Sequence, residues 1–209
     1  VPVFDLMIPA DAGAGLYGFL LNNNPQLFYI DGRSFSASVE NGYVKDVNVA
    51  YHPEYGSADI DLFNTRVSEI VSGSGSGLND EQTALYLHDL LIVENTYDEN
   101  LSKYSAYNAL VEGSSGCQGY ALAYKYLLNL AGIESDVISG SELSHAWNTV
   151  VIGGKTYFVD TAWDDPADSY LMHCGHRNFL LGREGVRLVE EREETRSIRK
   201  LEAADKLSP

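Results

Sequence analysis

Apolar positions recur at helical spacing in several stretches of this chain and alternate at strand spacing in one. Ala14 to Leu21 is apolar and helical in type, the NNNP run from Asn22 to Pro25 stops it, and Leu27 to Ile30 is a strand candidate. Ala58 to Val71 places Ile60, Phe63, Val67, Ile70 and Val71 along one side of a helix. Residues from Val1 to about Ser72 therefore read as a helix, short strands and a second helix. The GSGSG stretch from Gly73 to Gly77 follows as a flexible connector.

After that connector, Asn79 with Gln82 three residues on has the spacing of a capping box. Ala84, Leu85, His88, Leu91, Ile92 and Asn95 then share one face. His88 on this face reads as a hydrogen-bonded core histidine. A further helix begins at or beside Cys117 and runs to about Ala131, where Gly132 ends it. Its stripe of Ala121, Leu122, Tyr124 and Leu128, with the single cation Lys125, predicts burial along most of its length. Gly113, Gly116 and Gly119 would let backbone approach a substrate closely around the thiol.

The run HAWNTVVIGGKTYFVDTAW reads as two strands joined at Gly153-Gly154, a favoured two-residue hairpin turn. That turn sets a register in which Trp147 opposes Asp160 and His145 opposes Ala162. His145 and Asp160 then project from the same face as diagonal neighbours, roughly 7 Å apart at the backbone. A loop one residue longer or shorter would put them on opposite faces. Beyond Asp164 the DDPAD run is a turn, and Arg183 to Lys206 reads as a polar, solvated helix of alternating sign.

Length and composition narrow the picture. The 209 residues suffice for one well-buried core with an appended lobe, and 44% hydrophobic against 21% charged residues is an ordinary globular balance. The formal charge of −16 repels phosphate backbones, so nucleic acid is not an expected partner. Seven basic and seven acidic side chains fall between Arg183 and Lys206, so the acidic excess lies in the rest of the chain. No stretch is apolar enough to span a bilayer, so no membrane insertion is expected, and VPVFDLMIPA lacks the pattern of a secretory signal. Heptads and an obvious interface stripe are also missing, which leaves the oligomeric state open.

Two cysteines, Cys117 and Cys174, do not make a disulfide framework. Cys117 at a helix start, followed by His145 and Asp160 from one hairpin, is instead what a thiol nucleophile, its base and its orienting carboxylate require. The helix N-terminus and a nearby imidazolium would hold the thiol as thiolate. The main-chain N–H of Cys117 is the natural first donor to an oxyanion. A buried inert cysteine, a core histidine and a strand-end aspartate would each be unremarkable alone, but not in this joint arrangement. Trp147, on the strand face of His145, could shield the ion pair or simply fill the core. His173, Cys174 and His176 resemble metal ligands, but a structural zinc site needs four and no second such cluster is evident. Asp164, Asp165 and Asp168 lack an EF-hand pattern and read as a turn. No metal and no cofactor are expected.

GCQGYA, a helix ending LAGIES, and SHAWNTVVIGGKTYFVDTAWDDP closely resemble the bacterial transglutaminase-like superfamily, and YLHDLLIVENTYDE resembles the helix preceding its nucleophile segment. The likeness covers about Asn79 to Pro166. It implies an α+β fold with a papain-like core, the nucleophile helix packed on an antiparallel sheet and an N-terminal accessory lobe. The division expected is a lobe over 1–72, a core over 78–182 and a charged helix over 183–209. The resemblance also implies a triad of Cys117, His145 and Asp160 acting on a protein or peptide amide through a thioester. Hydrolysis is the expected outcome, with amine transfer or a non-catalytic surface module as alternatives. A secreted or cell-surface location follows from the likeness as well. Papain-like sites use a further oxyanion donor upstream of the nucleophile. Tyr104, Tyr107, Asn108, Ser114 and Ser115 are the polar residues there, with Tyr107 the leading guess; Gln118 follows the thiol.

Overall fold

The asparagine–proline stop ends the first helix where expected, but no strand follows it directly. The computed structural model describes residues 8–74, 77–140, 144–165 and 175–182. Helix α1 runs Gly13–Asn23, and the side-chain amides of Asn23 and Asn24 donate back to the carbonyls of Phe19 and Leu20, closing its last turn. Pro25–Leu27 is then a 3₁₀ turn, in place of the strand expected over Leu27 to Ile30. Pro25 presets φ for a helical turn and has no N–H for a ladder.

Strand β1 begins only at Ile30, and β1 (Ile30–Glu40) pairs antiparallel with β2 (Tyr43–Tyr51), so the strands here are longer than expected. They join at Asn41-Gly42, both with positive φ, the turn that matches strand twist. Leu16 of α1 meets Val44 and Val47 in a small apolar cluster of their own.

Helix α2 (Ser57–Ser74) does not share that cluster, although it falls within the lobe expected over 1–72. Its Phe63, Val67 and Ile70 are buried in the main core together with Leu87, Leu91, Tyr124, Leu127 and Leu128. The reason is the width of its stripe: three large side chains need the facing stripes of long helices, which the small β1–β2 hairpin cannot supply.

Helix α3 (Asp80–Glu94) opens with the anticipated capping box between Asn79 and Gln82. A short strand β3 (Thr96–Tyr97), helix α4 (Ala106–Leu110) and strand β4 (Ser114–Ser115) lead into helix α5 (Cys117–Leu130). Strands β3 and β4 pair in parallel, Tyr97 opposite Ser115. Gly132, at φ +84°, takes the chain out of α5 and into the sheet.

The sheet is antiparallel, in the order β5 (Ser135–Gly140), β6 (His145–Ile152), β7 (Lys155–Val159). The Gly153-Gly154 turn produces the anticipated register, with Asn148 opposite Val159 and Val150 opposite Tyr157. Helix α5 packs on β5 and β6. This is the expected α+β, papain-like core with its helix on an antiparallel sheet. Helix α6 (Thr161–Asp164) follows β7, and Leu181 bridges back to Phe158. The charged helix expected from Arg183 onward, and His173, Cys174 and Asp168, lie outside the described residues.

Candidate active site

The cleft forms where the start of α5 meets the start of β6. Gly116 caps α5 in an extended conformation and donates its N–H to the Lys103 carbonyl at 2.9 Å, which sets Cys117 as the first helical residue. Of the glycines around it, Gly113 and Gly119 serve the protein's own packing, while Gly116 lines the cleft. A Cβ on Gly119 would stand 1.8 Å from Ser115 Oγ and 2.7 Å from the Ser105 carbonyl, so only glycine lets α5 pass so close to these segments. Gly113, at φ +64°, likewise lies against the Glu94 carbonyl.

Asn148 fixes the sheet to the helix. It is fully buried on β6 and donates through Nδ2 to the Ala121 carbonyl of α5 at 2.9 Å. His145, three residues earlier on the same strand, is thereby held over the first turn of α5.

His145 and Asp160 meet as the hairpin register requires, with Nε2 and Oδ2 2.6 Å apart and both residues buried. Asp160 is not on the strand, however, and it makes no ladder pair with Trp147. Strand β7 ends at Val159, and the Asp160 N–H turns outward to the Asn178 carbonyl at 2.9 Å. Asp160 is the N-cap of α6, its Oδ1 accepting the Trp163 N–H at 3.0 Å. One carboxylate therefore starts a helix and holds the imidazole.

With Nε2 engaged, Nδ1 is the ring nitrogen left for the sulfur. Burial pushes the Cys117 thiol up, but the hydrogen bond and charge of His145, with the N–H groups of Ala146 and Gln118, outweigh it and bring the thiol below its ordinary value. Burial pulls His145 down, yet Asp160 and Cys117 together push it up to about 9. Both shifts favour a thiolate–imidazolium pair. The ring is stacked by Trp163, with centroids 4.5 Å apart and planes 13° apart, and more loosely by Trp147 at 5.8 Å. These indole faces shield the pair and attract its cation.

The upstream donor is not where the sequence suggested. Tyr107 is buried in the core, stacked on Phe28, and its hydroxyl donates to Asp59 at 3.0 Å. It has no place in the cleft, because α4 turns it inward. Asn108 is occupied in capping α4, Ser115 donates to the Lys103 carbonyl, and Gln118 reaches across to Asn22 at 3.1 Å.

Tyr97 is the tyrosine that stands beside the thiol, lining the same cleft. Burial, and the charge and hydrogen bond of the Cys117 sulfur, push its hydroxyl up, against a smaller lowering by the Cys117 main-chain N–H. The parallel pairing of β3 with β4 carries it there, two residues before the thiol. Nothing in the residue pattern marks a two-residue strand. Trp163 was also missed, because only the turn into α6 brings it over His145.

Cys117, Tyr97 and His145 line a cleft of about 420 Å³, open to solvent, with Tyr104, Gln118 and Ala146 on its walls. Of the acidic run considered for calcium, Asp164 is engaged by His88 and Asn178, and Asp165 accepts from the Tyr120 hydroxyl. Their oxygens serve separate partners.

A half-exposed cysteine at a helix start, facing a carboxylate-held histidine on the sheet, defines a papain-like, cysteine-centred class of protein. Residues 65–162 match the model of the transglutaminase-like superfamily, and that segment is transglutaminase-like. No curated protein matches the chain. Among solved structures it is similar to a transglutaminase (11% identity, TM-score 0.47, covering 80% of this chain and 51% of that one). It is also similar to a candidate cysteine protease from Cytophaga hutchinsonii (14% identity, TM-score 0.39, 52% and 43% covered). A candidate protease from Parabacteroides distasonis is a third (12% identity, TM-score 0.34, 62% and 35% covered). The chain thus spans about half or less of each.

Proposed function

We propose that this chain is a cysteine-dependent enzyme that opens a peptide or related amide through a thioester on Cys117 and passes the acyl group to water. The Cys117 thiolate attacks the amide carbon, and the carbonyl electrons move onto oxygen. The Cys117 N–H and the Tyr97 hydroxyl, on residues that line the same cleft, receive that oxyanion. His145 then gives its proton to the leaving amine as the C–N bond breaks. Neutral His145 next takes a proton from water, which attacks the thioester and releases acid and thiolate. Asp160 keeps the Nε2 proton in place and stabilises the imidazolium throughout.

The meeting of Cys117 and His145 in one cleft, with Asp160 bonded to the imidazole, carries this reading. A secreted or cell-surface location and a protein or peptide substrate belong to the same proposal, on family resemblance. Amine transfer differs only in what reaches the thioester, and a charge of −16 would concentrate cationic amines near it. Incubating the protein with a glutamine-containing peptide and a labelled lysine analogue separates the two. Free acid supports hydrolysis, label in the peptide supports transfer, and no acyl-enzyme at all would favour an inert module.

A further inference from the structure

A second group of titratable side chains lies outside the cleft, where α3 meets the segment 175–182. His88 Nδ1 is 2.9 Å from Asp89 Oδ1, and His176 Nε2 is 2.7 Å from that same oxygen. The other ring nitrogen of His88, Nε2, is 3.2 Å from Asp164 Oδ2. One ligand atom from each of His88, Asp89 and His176 lies within 4.8 Å of the other two.

The proton count at His88 makes this more than a set of hydrogen bonds. Asp164 is sealed from solvent, with 1% of its side chain exposed, and already accepts from the backbone and side-chain nitrogens of Asn178, so it is a committed acceptor. His88 therefore donates to it through Nε2. In a neutral ring Nδ1 then carries a lone pair, aimed directly at a carboxylate oxygen. Those lone pairs repel unless a cation stands between them, either a second proton on the ring or a metal ion.

We infer that His88 Nδ1, Asp89 Oδ1 and His176 Nε2 together bind a divalent transition-metal ion of the zinc class, with Asp164 behind His88. Two imidazoles and a carboxylate suit such ions, leaving the remaining positions to water. The carboxylate behind a ligating histidine is the usual device for fixing its tautomer and raising its basicity. Bonds of about 2.0–2.2 Å to zinc would spread the ligand atoms to roughly 3.3 Å. His176 can supply that movement, since its side chain is 47% exposed. Helix α3 supplies the partners that His176 lacks among its own sequence neighbours.

The ion would have a bracing role. It would tie the segment carrying Asn178 to α3, and the Asn178 carbonyl holds the N–H of Asp160. The site would therefore support the position of Asp160 without touching the chemistry at Cys117.

The test uses the full chain with Cys117→Ser and Cys174→Ser, so that neither thiolate can compete for metal, after chelation and dialysis. Zinc titrated calorimetrically should bind once per chain with a micromolar or tighter dissociation constant and raise the melting temperature. Cobalt should give the visible absorption of a nitrogen- and oxygen-ligated ion. His176→Ala, on an exposed side chain, should keep the metal-free melting temperature and weaken zinc at least tenfold; Asp89→Asn should do likewise. Three results would overturn the inference: no saturable zinc binding below about 1 mM, binding of equal strength in His176→Ala, or a cluster that responds to pH alone.

Discussion

Two histidines in this chain are each held through Nε2 by a buried aspartate, and both aspartates belong to the same short helix. Asp160 caps α6 and holds His145 at 2.6 Å; Asp164 ends α6 and holds His88 at 3.2 Å. The pairs differ in what faces the other ring nitrogen. At His145 it is a half-exposed thiol, which can give up its proton and become a nucleophile. At His88 it is a carboxylate, which cannot, so that ring can only share a cation. A histidine–aspartate pair is thus a generic means of orienting an imidazole, and its third partner decides the chemistry.

Removing that third partner at the cleft is the most severe way to break the comparison. Cys117→Ala should abolish acyl-enzyme formation, a loss on the order of 10³-fold or more in turnover. Mass spectrometry of the trapped thioester reads it directly.

Exchanging each aspartate for asparagine is a sharper cut. Asparagine caps a helix as well as aspartate does, so Asp160→Asn should leave α6 intact while lowering kcat on the order of 10²- to 10⁴-fold. Asp164→Asn should show the reverse. Turnover should stay within several-fold while stability falls by about 1–3 kcal/mol, because a buried acceptor for His88 and Asn178 is lost. Urea melts and steady-state rates on the two variants test this together; equal effects would mean that the two pairs are not distinct in kind.

Tyr97→Phe should lower kcat by roughly 10- to 100-fold with little change in KM, as expected for a donor that matters only once the oxyanion forms. Tyr107→Phe should leave the kinetics alone, since that hydroxyl serves Asp59.

The pH dependence is gentler. His145, raised to about 9 in the fold, contributes stability that is complete below its ordinary value near 6.5. That contribution is lost as pH climbs through about 9. Cys117, lowered in the fold, contributes above its ordinary value and loses that contribution as pH falls through its folded one. Iodoacetamide should therefore alkylate Cys117 at pH values where a free thiol is inert, and His145→Ala should move the profile back toward about 8.5. A profile unchanged by that substitution would count against the ion pair.

Much of this site was legible because it depends on short-range rules. The two glycines at 153 and 154 fix a two-residue turn, the turn fixes the register, and the register puts His145 and Asp160 on one face. The capping pair at Asn79 and the helix starting at Cys117 are equally local. Elsewhere local preference is silent. The hairpin pattern runs on through Asp160, whose N–H leaves the ladder for Asn178. Tyr97 carries no mark in the residue pattern, because a two-residue strand has no period. The stripe of α2 does not say which partner covers it.

From its residues alone, this chain determined where the thiol helix begins, how the hairpin is aligned, and hence that a cysteine, a histidine and an aspartate could meet. Those features follow from backbone sterics and from neighbours a few positions apart. Tertiary structure decided which tyrosine reaches the sulfur, which aspartate holds which histidine, and what covers α2. Such choices turn on packing between segments distant in the chain, where many partners satisfy the same local pattern and only the closed core selects one.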